Sequence, residues 1–480
     1  MISNSLTENM LACMLLLVIL AIAIIYRTPQ LEAPFCYDEA FSYIHYAANP
    51  WPDPVFLYDY PNNHILHTVA MKFSVGAFGL SHFSLRFPAL AAGLLLIAIT
   101  FFTSRKLFGL PTAAIASFLV AISSTMVVYS TNGRGYSMMA CCMALIWYSL
   151  HRMIDEKSTK HFVFAVMFQS LACMISPIAI LGIAILHIYF FIKNRYLQSY
   201  SIRQQIKSLA YTIILSVLFY LPAILFTKEF HSESIVATTL PNLDKAKDLL
   251  NFFVGSFKYT TTGIPLFFIA MLGIGLIWGL FKDKAPRIVL VSLMIFALAC
   301  WILPMQTPPM RFVSILLPLA YILSVNSLFK ILKSETIRVK IPFAYIPIIL
   351  MVASLISSFN PTIARGDYDV TPIANHQKLF EEINKELKSG DAILTQFPME
   401  ASVRTYIGIY ALSSDLLNPE NAYSGKTAIV LSNNLNQTAD LSFEKNNIDK
   451  VRFLSNHKLE KRIPIDNNTT LLLYSLTDEN

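Results

Sequence analysis

Eleven mostly apolar stretches recur along these 480 residues, and that repetition limits the possible architecture more than any other feature. A helix crossing a bilayer needs about 17 to 25 largely apolar residues. Stretches of this kind lie at 10–26, 84–104, 112–130, 135–151, 161–175, 177–192, 208–226, 263–281, 287–303, 311–329 and 341–358. A hydrophobic share of 55%, with only 14% charged residues, exceeds what one soluble core requires, so lipid is the solvent for most of the chain. The first stretch follows nine residues without positive charge and lacks a small-residue cleavage site, so it reads as an uncleaved span.

Charge sets the orientation. The net charge of +7 comes from Lys and Arg grouped in alternate loops: Arg105 and Lys106; Arg152, Lys157 and Lys160; Lys193, Arg195, Arg203 and Lys207; Lys282, Lys284 and Arg287; and Lys330, Lys333, Arg338 and Lys340. Basic loops stay on the cytoplasmic side. This pattern serves topology and argues against nucleic acid as a partner. The N-terminus is therefore expected inside, with residues 27–83 and everything after 359 outside.

The first outer loop, 27–83, is too long to be structureless. Phe41, Ile44 and Ala48, and then Ile65, Leu66, Val69, Ala70 and Phe73, recur at helical spacing and predict two interfacial helices, Glu39 to Ala48 and His64 to Gly76. The proline run from Pro50 to Pro54 is expected to exclude helix between them. After residue 359 the pattern predicts a small α/β domain: helices at 374–388 and 400–411, and strands at 392–395, 428–431, 451–454 and 471–474. The expected fold is thus a polytopic α-helical membrane protein with two parts. A transmembrane domain (1–358) carries interfacial helices in its first outer loop, and an extracytoplasmic α/β domain (359–480) follows. Five of the six cysteines lie in apolar stretches, and none has metal-ligand or disulfide-framework spacing.

Ionisable residues are costly inside lipid, so their positions are informative. Arg86, Arg134 and Arg311 all map to outer span ends, on the side of the acidic pair Asp38-Glu39. Arginines at span ends also snorkel to water, and an acidic pair also opens helices, so each feature alone has a structural explanation. Taken together they allow an anion site beside a general base.

Several motifs occur in a fixed order: Tyr37-Asp38-Glu39-Ala40, Pro61-Asn62-Asn63-His64, Leu85-Arg86-Phe87-Pro88, Arg105-Lys106-Leu107-Phe108-Gly109, Asn132-Gly133-Arg134-Gly135-Tyr136 and Pro309-Met310-Arg311-Phe312. The series resembles the GT-C membrane glycosyltransferases, in the group of the protein O-mannosyltransferases and the lipid A aminoarabinose transferase, over about residues 1–330. The resemblance implies transfer of a sugar from a polyprenyl-phosphate donor lipid to a glycan, lipid or protein acceptor outside the membrane. Asp38 would be the general base and Glu39 its support. His64, Arg86, Arg134 and Arg311 would contact the donor phosphate, and Asp59, Asn62, Asn63 and Tyr136 would contact substrate. Here Ile65 and Leu66 replace a proline pair of relatives, and Asn132 stands where Glu is frequent. Some relatives bind a divalent metal ion through first-loop acids and others do not; Asp38, with Asp59 and His64, supplies the candidate ligands. Two other classes stay open: a transporter or flippase of lipid-linked sugars, and a catalytically inactive scaffold. The general pattern suggests a bacterial inner membrane.

Overall fold

The computed structural model describes residues 2–194, 199–227, 243–282, 284–302, 310–332, 372–433 and 437–477. The chain divides into two units. The first comprises Met1–Leu31, Trp51–Val69 and Arg86–Ile363; the second comprises Glu32–Pro50, Ala70–Leu85 and Ala364–Asn480.

The first unit is helical. Each stretch expected to span between residues 10 and 329 falls on described helix, and the stretch at 341–358 lies outside the described residues. Three of the described helices are long and apolar enough to cross a membrane: Thr7–Leu31, His82–Phe108 and Ile202–Phe226. Others, including Leu110–Ile122, Thr159–Ile175 and Leu317–Leu332, are apolar but shorter. The expected stretch at 112–130 is two helices, Leu110–Ile122 and Ser124–Tyr129. They break at Ser123, whose hydroxyl accepts the Met126 amide and starts the second helix. Helix Leu243–Thr261, with its charged face, was not expected. The proline run does not exclude helix either: Asp53–Phe56 forms one short turn, because Pro54 occupies a first-turn position where no amide donor is needed.

Two fully buried arginines close helix ends. Arg27 lies within the first helix, Ile2–Leu31, which runs past the expected end at residue 26. Its Nη1 donates to the carbonyls of Ala23 (3.1 Å) and Ala121 (2.8 Å), its Nη2 to Val120 (3.4 Å), and its Nε to Ser130 Oγ (2.8 Å). Val120 and Ala121 belong to the last turn of Leu110–Ile122, whose carbonyls have no partner within that helix. Arg86 Nη1 does the same for the first helix, donating to Leu31 (2.7 Å) and Gln30 (3.3 Å). Each guanidinium meets the negative end of a helix, which offsets part of the cost of burying its charge.

The second unit is an α/β layer structure. Strands β1 (Ala392–Leu394), β2 (Thr427–Ser432), β3 (His457–Pro464) and β4 (Thr469–Leu476) form one sheet in the order β1-β2-β4-β3. The β1–β2 pair is parallel, with helix Glu400–Ile409 in the connection, and the other pairs are antiparallel. Alternation along β2 sends Ala428 and Val430 to one core and Ile429 and Leu431 to another. The first core also takes Leu379, Phe380 and Ile383 from helix His376–Glu386, and Val403 and Tyr406 from helix Glu400–Ile409. Phe35, Ala40, Ala47, Met71 and Leu85, from the N-terminal segments of this unit, are buried in that same core.

The strand expected at 451–454 is instead helix Lys450–Asn456. Asp449 Oδ1 accepts the amides of Val451 (2.9 Å) and Arg452 (3.1 Å), which nucleates the helix. Phe453 faces the core while Val451 is 81% exposed. β3 was missed because it is almost wholly polar: Lys458, Glu460, Lys461 and Arg462 mark an edge strand with no apolar alternation.

Replacing Arg27 by Met is expected to lower the melting temperature of the purified protein in detergent. The carbonyls of Val120 and Ala121 would lose their donor, at about 1–3 kcal/mol for each buried unsatisfied group. An unchanged melting temperature would contradict the capping role.

Candidate functional site

In the first unit, the loop before helix Ile65–Phe78 meets the loop before helix Tyr136–Glu156. The contact is built by His64 and Arg134, 3% and 2% exposed. The Gly135 amide donates to His64 Nδ1 at 2.9 Å, so Nδ1 carries no proton and the neutral imidazole bears its proton on Nε2. Arg134 Nη2 lies 3.4 Å from that Nε2. Both atoms are donors, so this approach is not an ordinary hydrogen bond; an anionic oxygen between them would accept from both.

The guanidinium is fixed from its other side. Arg134 Nη1 donates to the Asn62 carbonyl (3.0 Å) and makes a short bond to Asn62 Oδ1. Tyr136 sets its ring edge-on to His64, with centroids 5.0 Å apart. Arg311, half-buried in the 3-10 turn Met310–Ile315, adds its charge to the His64 environment. Burial, then the positive charges of Arg134, His67 and Arg311, push the His64 pKa well below the usual imidazole range. The ring is therefore neutral at physiological pH. Gly135 has no room for a side chain, since a Cβ there would lie 3.0 Å from His64 Nδ1 and 2.5 Å from an Ile175 methyl.

The structure thus brings together His64, Asn62, Arg134, Tyr136 and the charge of Arg311. Asn63 is fully buried and scaffolds its loop: its side-chain amide donates to the carbonyls of Leu57 (2.9 Å) and Pro54 (3.2 Å), and its oxygen accepts from Thr68 (2.8 Å). Asp59 is half-buried and accepts the Tyr60 amide. Arg86 closes a helix end, as described above. Sequence reasoning passed over His67, three residues beyond His64 and so on the same helical face. Near the cluster, burial raises the pKa of the Tyr58 hydroxyl, and Arg134 opposes that shift.

Asp38 and Glu39 stand in the second unit, in helix Tyr37–Ser42. Glu39 is buried, and its Oε1 accepts the Cys36 amide at 2.9 Å, which fixes the first turn. Asp38 is half-buried, and its carbonyl accepts from Ser42 Oγ at 2.7 Å. Among the described residues, no group of three or more His, Cys, Asp or Glu side chains is placed to hold a metal ion. Asp38, Asp59 and His64 do not form such a group.

The first unit is thus helical and carries a buried basic cluster at His64 and Arg134. Residues 63–224 match the family model described as dolichyl-phosphate-mannose-protein mannosyltransferase. No curated protein matches the sequence. ArnT from Cupriavidus metallidurans bound to undecaprenyl phosphate has a similar structure, with a TM-score of 0.58 at 13% identity over 95% of this chain and 97% of that one. Apo ArnT from the same organism gives 0.58 at 12% identity, over the same shares. The archaeal oligosaccharyltransferase AglB from Archaeoglobus fulgidus, in complex with an inhibitory peptide and a dolichol-phosphate, gives 0.50 at 12% identity, over 93% of this chain and 69% of that one. The chain is an integral membrane protein that resembles the GT-C glycosyltransferases in fold and in this sequence segment.

The His64 environment has a pH signature. Below pH 6.5 the unfolded chain binds a proton at His64 that the folded protein does not, so stability falls as pH falls, by at most about 1.4 kcal/mol per pH unit. Thermal unfolding at pH 7.5 and pH 5.0 is expected to show a larger acid loss for the native protein than for His64→Asn. Equal losses would contradict a buried neutral imidazole.

Proposed function

We propose that this protein is an inverting glycosyltransferase that moves a sugar from a polyprenyl-phosphate carrier to an acceptor hydroxyl on the extracytoplasmic face of a bacterial inner membrane. The observation that carries the reading is the facing pair of donors, His64 Nε2–H and Arg134 Nη2–H, in a buried basic cluster. Such a cluster suits a leaving group that gains negative charge, and a carrier phosphate is one. The undecaprenyl phosphate of the ArnT structure and the dolichol-phosphate of the AglB structure support this choice of ligand.

In the proposed reaction the acceptor oxygen attacks the anomeric carbon and forms the new glycosidic bond. The bond from that carbon to the phosphate oxygen breaks, and the carrier phosphate leaves with the electron pair. Asp38 takes the acceptor proton, which becomes strongly acidic only as the new bond forms. Glu39 holds the turn that carries Asp38. His64 and Arg134 bind the phosphate with Arg311 contributing charge, and Asn62 fixes the Arg134 fork. Tyr136 borders the basic cluster as a candidate substrate contact, and Asp59, in the loop before His64, is a second candidate.

A direct test follows the release of undecaprenyl phosphate from a panel of undecaprenyl-phosphate hexoses and pentoses, with a bacterial envelope extract as acceptor. Asp38→Asn is expected to lower the rate by about 10²–10⁴, the usual contribution of a general base. Arg134→Ala is expected to weaken donor binding by tenfold or more, as loss of a charge-assisted hydrogen bond would. Near-native transfer by Asp38→Asn, or carrier flux across vesicles with no chemical product, would overturn the assignment.

A further inference from the structure

We propose that helix Glu400–Ile409, in the C-terminal part of the second unit, positions the Asp38 turn for transfer, with Tyr406 and Glu400 as positioning residues. The inference rests on the reading of Asp38 as the base. Three successive residues before Asp38 are each pinned by a separate hydrogen bond. The Phe35 amide donates to Tyr406 Oη at 3.0 Å. The Cys36 amide donates to Glu39 Oε1 at 2.9 Å. The Tyr37 hydroxyl donates to Glu400 Oε1 at 3.1 Å. Two of the three acceptors lie on one helix, some 365 residues away in sequence.

The packing around these bonds is dense and specific. Tyr406 is fully buried, stacked on His376 with centroids 4.4 Å apart, and its ring lies 5.0 Å from that of Phe35. Phe397, just before this helix, places its ring edge-on to Tyr37 at 5.0 Å. Phe35 and Ala40 flank the acidic pair in sequence, and both are buried in the core formed by the C-terminal sheet and its helices. A six-residue helix such as Tyr37–Ser42 has little stability of its own, so its orientation is set by what it packs against. The C-terminal residues are therefore a structural part of the outer-loop turn that carries Asp38, and a carboxylate displaced by about 1 Å is a poor base.

The test uses the full-length protein in the release assay above, with rates normalised to folded protein. Tyr406→Phe keeps the ring and removes the acceptor for Phe35; Glu400→Ala removes the acceptor for Tyr37, and Glu400→Gln keeps an acceptor oxygen. We expect Tyr406→Phe and Glu400→Ala each to lower kcat at least tenfold with the donor KM within twofold of native. Glu400→Gln should recover most of the rate, and in an Asp38→Asn background neither change should lower the residual rate further. Native kcat in both Tyr406→Phe and Glu400→Ala, or equal losses for Glu400→Ala and Glu400→Gln, would overturn the proposal. Failure of the base assignment shows separately, as near-native transfer by Asp38→Asn alone.

Discussion

The hydrogen bond from the Gly135 amide to His64 Nδ1 is the contact on which the basic cluster depends. It selects one tautomer and turns the remaining N–H toward Arg134. It also favours glycine at 135, because a Cβ there would lie 2.5 Å from an Ile175 methyl and 3.0 Å from the imidazole Nδ1. A main-chain donor holding a buried neutral histidine beside a guanidinium costs nothing to reorganise when an anion arrives. Such preorganisation is what the proposed phosphate site requires.

The buried arginines of the first unit show the contrast. Arg27 and Arg86 direct their protons at carbonyls in the last turns of neighbouring helices, so the structure explains them as caps. Arg134 is held differently. One nitrogen is committed to Asn62, while the other faces a histidine proton. In a low-dielectric setting both arrangements must satisfy the same charge, and only the second leaves a geometry that an external oxygen completes.

The legible part of this protein was the part governed by periodicity. Apolar stretches announced the helices because lipid demands continuous apolar surface, and β2 and β4 announced themselves by apolar content. β3 was silent because an edge strand is stabilised by pairing with β4 and tolerates charge at nearly every exposed position. The run at Val451 misled because a side-chain cap from Asp449 outweighs the strand preference of a single valine. Arg27 went unnoticed because the span was ended one residue before it. The basic cluster was legible only through motif order: His64, Arg86, Arg134 and Arg311 were named together, and the structure sets Arg86 apart on the carbonyls of Gln30 and Leu31. The burial of Phe35, Ala40 and Leu85 with the C-terminal sheet depends on contacts hundreds of residues apart, for which no local pattern exists.

The central claim is that His64 and Arg134 receive the phosphate of a lipid carrier. It is tested most directly by the structure of the full-length protein with undecaprenyl phosphate bound. The account predicts a phosphate oxygen within about 3 Å of both His64 Nε2 and Arg134 Nη2, with the Gly135 to His64 bond intact. A phosphate bound elsewhere, with these two side chains unmoved and untouched, would contradict it.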